Sequence, residues 1–296
     1  MRKFILNVVL LTVVNVILLL FFALCNFYTV KKQFKNYHYN DYIFIGDSSF
    51  EQGINPNIIE NSLNLSESAS SMVYSYLKIK TIVENFKPKK IIIPISSHNI
   101  FSDIEKRWLF SQPHFESRFA KYFPLMGLEE LKLFLYSKEI SYASSFQKTF
   151  KEILKNTIIG NIYYGRFNIN NLDNLKKAIS KLDDKTNRNY TLLAEVELNY
   201  FKKIIKLCNN SNIDLIVINT PKHKMYNKFY EKRITVFNDL MKNEFSDIIY
   251  YDYTNLIFDN SCFTDLMHLN NKGSSFFSEY IKDNLKKNNK NVYHFD

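Results

Sequence analysis

Apolar and polar positions divide the chain into stretches of different pattern. From Phe4 to Leu24 about 21 residues carry no charge, and only Asn7, Thr12 and Asn15 interrupt them with polar groups. At about 1.5 Å per residue, a helix over this run spans the roughly 30 Å hydrocarbon core of a bilayer. Arg2 and Lys3 precede it, and Lys31, Lys32 and Lys35 follow it. A cleaved signal peptide would have a shorter apolar run ending in small residues, whereas here large Leu24 precedes Cys25. The pattern therefore predicts an uncleaved transmembrane anchor over residues 1–28 and a juxtamembrane linker over 29–40. The flanking positive charges are nearly balanced and orient it weakly. With the N-terminus in the cytoplasm, the globular part is extracytoplasmic.

From residue 41 short apolar runs alternate with helical spacing. Strands are predicted at Asp41–Ile45, Leu63–Leu65 and Ile91–Ile95, and helices at Pro56–Leu63 and Ser70–Phe86. Residues 101–190 lose the strand signal. They hold Trp108, many Phe and Tyr, and helical patterns at Leu128–Tyr136 and Phe146–Leu154, and they end in the polar run Asp183–Asn189. This stretch reads as a mostly helical insertion. Alternation then resumes: helix Leu192–Leu207, strand Asp214–Asn219, helix Lys228–Phe245, strand Ile248–Tyr251 and helix Lys272–Leu285. Strands alternating with helices imply an α/β domain over 41–296, its parallel sheet covered on both faces.

Composition adds three points. Apolar residues make up 46% of the 296, enough for a sizeable core. Two of the six glycines, Gly46 and Gly273, stand beside the motifs described below. The formal charge of +10 comes largely from Lys/Asn-rich stretches, which suits a solvated basic face or attraction to anionic lipid or an anionic envelope polymer. No zinc pattern, helix-turn-helix or aromatic RNA-binding motif points to nucleic acid. No His/Asp/Glu spacing suggests a metal. Cys25, Cys208 and Cys262 form no disulfide framework, although a single Cys208–Cys262 bridge is open.

The candidate chemistry lies at the two ends of the globular part. Gly46-Asp47-Ser48-Ser49 follows the first strand, and Asp265-Leu266-Met267-His268 follows the last. In a doubly wound sheet, ligands bind outside the carboxyl ends of the strands. Ser48, Asn99 after the third strand, and Asp265 with His268 can therefore converge there. Serine is a weak nucleophile until a base takes its proton. His268 would be that base and Asp265 would orient it. The backbone N–H of Ser48, an N–H near Ala69 and the Asn99 side chain would bind the developing oxyanion. His98 and His223 are candidates for substrate contact, with local hydrogen bonding and surface exposure as their plainer alternatives.

In this order and spacing, Gly46-Asp47-Ser48, Asn99 and Asp265-x-x-His268 resemble the SGNH (GDSL) hydrolase superfamily over roughly residues 41–100 and 190–287. The resemblance implies a three-layer flavodoxin-like fold, no cofactor, and activity as an esterase, lipase, deacetylase or O-acyltransferase. Ile54-Asn55-Pro56 and His268-Leu269-Asn270 resemble membrane-anchored envelope members. That resemblance implies an acyl-bearing glycan or lipid-linked glycan as substrate and a multispanning acyltransferase as a partner. Departures are Ala69 at the position of a family glycine, Ser97-His98-Asn99 in place of Gly-x-Asn, and Ser49 in place of Leu. Two alternatives stay open at the level of sequence: a non-catalytic scaffold in envelope-polymer assembly, and a lipid esterase.

Overall fold

A computed structural model of the chain describes residues 1–135, 137, 140, 148, 151–155, 158, 164–168, 174–180, 191–286 and 293–294. These fall into two compact units, Met1–Asn36 with Phe110–Tyr163, and Tyr37–Leu109 with Tyr164–Asp296.

In the first unit the apolar run lies in one helix, α1 (Arg2–Lys35), long and apolar enough to cross a membrane, as a signal sequence also can be. The helix runs on through Lys35, into the stretch expected as a linker at 29–40. Its Asn26, Val30 and Phe34, spaced four apart on one face, are fully buried or nearly so. The Asn26 side chain donates to the Ala120 carbonyl at 3.5 Å. Later in the chain the same unit holds, with helices numbered in chain order, α5 (Gln112–Tyr122) and α6 (Leu128–Leu135), knit by ring contacts of Phe115 and Phe119 with Phe134.

The second unit is built on strands β1 (Tyr42–Phe44), β2 (Ser62–Asn64), β3 (Lys90–Pro94), β4 (Asp214–Asn219) and β5 (Ile249–Asp252). All pair in parallel in the order β2-β1-β3-β4-β5, and the two-residue β6 (Tyr293–His294) extends the β5 edge. This is the doubly wound flavodoxin-like order. Ile91, Ile92 and Ile93 are each 0% exposed, so β3 buries both its faces, and fully burying such side chains contributes about 1.5–3 kcal/mol each. On one face α3 (Met72–Asn85) packs on α8 (Glu195–Asn210). On the other, α2 (Ser48–Gly53) packs on α11 (Asn271–Lys286), where Asn55 N–H donates to Ser278 Oγ at 2.8 Å. The fold is thus a three-layer α/β sandwich. The remaining helices of this unit are α4 (Ser102–Glu105), α7 (Leu175–Ser180), α9 (Lys224–Phe229) and α10 (Glu231–Glu244).

Several expectations shift. The helix expected at Pro56–Leu63 is absent; the helix begins at Ser48 itself, capped by Asp47, whose Oδ1 accepts from Ser49 N–H at 2.8 Å. The Asn55 side chain instead accepts from Asn57 N–H at 3.1 Å, a local turn that replaces a helix. The helix expected at Lys228–Phe245 breaks at Tyr230 into α9 and α10. Within the stretch expected as an insertion at 101–190, Phe101 bridges Leu193 and Ser102 N–H donates to the Leu192 carbonyl, which ties α4 to the sheet-bearing unit. Within the predicted Phe146–Leu154 helix, residues 148 and 151–154 are helical, and its other residues, with all of Asp183–Asn189, lie outside the described residues. Cys208 and Cys262 are both free and buried, so the bridge left open by sequence is not formed.

Two buried acids fix the start of the helical layer. Glu197 Oε2 accepts from the Met72 N–H that opens α3 at 2.6 Å, and Glu105 accepts from the Glu197 N–H at 3.0 Å. Burial pushes the Glu197 carboxyl up to about 8 against an ordinary 4.5, the Met72 N–H opposing and the charges of Glu105 and Asp47 adding. The folded state therefore holds a proton that the unfolded chain releases. Stability contributed by that proton is full below about pH 4.5 and is lost as pH rises through about 8. Glu197→Gln keeps the acceptor and removes the titration. The variant should be more stable than wild type at pH 8 by on the order of a few kcal/mol, with the gap closing toward pH 5. Thermal melts at the two pH values check this, and an equal shift at both would reject it.

Candidate active site

The carboxyl ends of β1, β3, β4 and β5 deliver four loops to one edge. Gly46 follows β1 because a Cβ there would come within 2.2 Å of the Pro94 ring, so the chain can pass the end of β3 only without a side chain. Ser48 then opens α2. Its Oγ lies 2.8 Å from His268 Nε2, although 220 residues separate them in sequence. His268 Nδ1 lies 2.9 Å from Asp265 Oδ2 and 3.0 Å from Oδ1. Asp265 Oδ1 also accepts from the N–H groups of Met267 at 2.7 Å and His268 at 3.0 Å. Burial pushes the Asp265 carboxyl up, but the hydrogen bond and charge of His268 with these two N–H groups outweigh it and hold it below its ordinary value. An ionised Asp265 fixes the proton on Nδ1 and leaves Nε2 to accept from Ser48. Gly273, behind this loop, has no room for a Cβ, which would meet the Cys262 carbonyl oxygen at 2.2 Å.

The expected oxyanion donors surround the same serine loop. Asn99 is nearly buried; its Oδ1 accepts from Ser96 N–H and Oγ–H at 3.0 and 2.8 Å, and its Nδ2 donates to Asp47 Oδ2 at 2.6 Å. An amide nitrogen carries two hydrogens, so one remains for a ligand. Ala69 sits at the third position of the turn Glu67–Ser70, closed by Ser70 N–H to the Glu67 carbonyl at 3.1 Å. Its φ of +53° is left-handed, the region glycine adopts freely. Among the described residues, neither the Ser48 nor the Ala69 N–H has a protein acceptor. Ala69→Gly relieves the left-handed strain and should stabilise the fold by about 1 kcal/mol. A denaturant midpoint that does not rise would contradict this.

Three charged residues that carried no role in the sequence reading support these groups. Asp47 joins the serine loop to Asn99 and to Ser49. Glu51, one helical turn after Ser48, accepts from Ser68 N–H at 2.7 Å and from Ser68 Oγ–H, which pins the Ala69 turn. Lys222, 4% exposed, donates to Thr220 Oγ1 at 3.0 Å and to the Met267 carbonyl at 3.4 Å, beside His268. Burial lowers its pKa against the opposing charges of Asp47, Asp265 and Asp252. Only Asp47 had a signal, its place in the Gly-Asp-Ser motif.

The two candidate contact histidines part company. His223 is buried, its Nε2 3.0 Å from Asn260 Oδ1 and its Nδ1 accepting from Met225 N–H at 3.3 Å. With both nitrogens engaged, and its N–H donating to the Leu266 carbonyl, it braces the loop before His268. His98 is half-buried and rests against the Trp108 ring, with centroids 5.1 Å apart. Burial lowers the His98 pKa to about 3, Asp47 opposing while Lys222, His268 and Arg233 add to the shift. Among the described residues no group of three or more His, Cys, Asp and Glu could hold a metal ion.

A protein-family model that carries no functional description matches residues 149–290, under half of the chain. No curated protein matches. Among solved structures, the chain is similar to a candidate acylhydrolase from Bacteroides fragilis at 10% identity and a TM-score of 0.39, covering 82% of this chain and 85% of that one. It is also similar to a protein from Streptococcus pneumoniae described as a candidate platelet activating factor, at 12% identity and a TM-score of 0.44, covering 92% and 99%. Likeness at this level assigns no activity to the chain.

Proposed function

We propose that the chain is a serine-dependent acyl-ester hydrolase or O-acyltransferase of the SGNH (GDSL) type. In this reading α1 holds it at a membrane, the sheet-bearing unit works outside the cytoplasm, and the substrate is an acyl group, acetyl by preference, on a cell-envelope glycan. A multispanning acyltransferase that supplies acyl groups is a fitting partner. The observation that carries the chemistry is the unbroken hydrogen-bonded line from Ser48 Oγ through His268 to Asp265.

The reaction follows from that line. Ser48 Oγ attacks the ester carbonyl carbon while its proton passes to His268 Nε2. Negative charge grows on the carbonyl oxygen, which the N–H groups of Ser48, Ala69 and Asn99 stabilise; one such donor is typically worth about 3–4 kcal/mol. The carbon–oxygen bond to the alcohol breaks, and the departing oxygen takes the proton from His268. Water or a second hydroxyl then attacks the acyl-Ser48 ester, gives its proton to His268, and leaves with the acyl group as an acid or a new ester. Asp265 stays ionised throughout and stabilises the imidazolium.

The full-length protein in detergent, given p-nitrophenyl acetate with and without a glycan acceptor, tests this. Nitrophenol release above background is expected. Acetylated glycan in the acceptor arm would mark transfer, and acetate alone would mark hydrolysis. Nitrophenol release no faster than buffer would reject the reading.

A further inference from the structure

Beside the Ser48–His268 pair stands an aromatic pair with no part in the relay. His98 immediately precedes Asn99, and its N–H donates to Ser96 Oγ at 3.2 Å, while Ser96 Oγ–H donates to Asn99 Oδ1 at 2.8 Å, which holds the two residues in one braced loop. The His98 ring lies against Trp108, tilted by 59°. Trp108 is the only tryptophan of the chain, half-buried in a π-helical turn that begins at Lys106. Such turns are rare and are frequent at functional sites. Asn99, the next residue after His98, donates to Asp47 Oδ2 at 2.6 Å, and Asp47 immediately precedes Ser48. Yet neither ring nitrogen of His98 has a hydrogen-bond partner among the described residues.

These features fit one kind of ligand. A neutral imidazole offers one donor and one acceptor, the complement of a hydroxyl, which also gives one and takes one. An indole face offers a flat apolar surface with no hydrogen-bonding demand. A ring with an apolar face and a rim of hydroxyls satisfies both, and that is a sugar. An acyl chain would need a continuous apolar lining, whereas His98 and Trp108 are each preceded in sequence by a polar pair, Ser96-Ser97 and the exposed Lys106-Arg107. We infer that His98 and Trp108 form the subsite for the sugar that bears the ester, with the indole stacked on the ring and the imidazole bonded to a hydroxyl. This rests on the reading of Ser48 as the nucleophile.

The sole tryptophan makes the test direct. The full-length Ser48→Ala protein in detergent is titrated with O-acetylated chitotriose and, separately, with dioctanoyl phosphatidylcholine, while tryptophan fluorescence is followed. A saturable change with the sugar and none with the lipid is expected. No saturable change with the sugar, or a change with the lipid alone, would overturn the subsite. In an active background, His98→Ala and Trp108→Leu should lower the ratio of kcat/KM for the acetylated sugar to that for p-nitrophenyl acetate by about tenfold, with Trp108→Phe restoring part of it. Equal losses on both esters would mean a merely structural role and would also overturn it. If wild type hydrolyses neither ester, the nucleophile reading fails, and the fluorescence titration still decides the subsite by itself.

Discussion

Ser48→Ala lowers kcat for an activated acetyl ester by about 10⁴-fold or more, and His268→Ala does the same. The two losses do not add, because the serine and the histidine work as one unit: without the base the hydroxyl keeps its proton, and without the hydroxyl the base has nothing to activate. The 2.8 Å contact between Ser48 Oγ and His268 Nε2 is the geometric basis for this expectation. The double variant should therefore sit close to either single one. Steady-state rates of the three variants against wild type check it. A Ser48→Ala protein that keeps a tenth of wild-type kcat would remove Ser48 from the mechanism.

Asp265→Asn should cost nearly as much, about 10³- to 10⁴-fold in kcat, and for a different reason. Oδ1 of Asp265 accepts from two backbone N–H groups as well as facing His268 Nδ1. An asparagine that keeps its oxygen on those N–H groups must turn its NH₂ toward Nδ1. That makes Nδ1 an acceptor and moves the imidazole proton to Nε2, where it can no longer take a proton from Ser48. The loop survives while the tautomer is wrong. The measurement is kcat together with a thermal melt. A large loss of rate with little loss of stability is expected, and a variant that is fully active would show that Asp265 does not set the tautomer.

Much of the arrangement is written in the sequence where a physical signal is strong. The Asp214–Asn219 strand matches its predicted bounds, because a run buried on both faces of a parallel sheet reads as a continuous apolar segment. Ser48 and the Asp265–His268 pair were legible because strand ends in this topology face one edge. What stayed hidden depends on tertiary partners. Only Phe50 marks α2 as partly apolar, and its start depends on the Asp47 cap; the nearby Pro56 was a misleading sign. The continuation of α1 past the apolar run rests on Val30 and Phe34, two positions among polar neighbours. Lys222 looks like any of the 39 Lys and Arg residues until the fold buries it beside Met267. The strained Ala69 could be read only by resemblance to a glycine, whereas the structure gives the reason as a left-handed turn.

The most direct test of a nucleophilic Ser48 is mass spectrometry of the full-length protein after treatment with a fluorophosphonate. The expected result is one adduct per chain on the peptide that contains Ser48, absent in Ser48→Ala and much slowed in His268→Ala. A folded, ester-hydrolysing protein with Ser48 unlabelled, or labelled at another residue, would contradict the account.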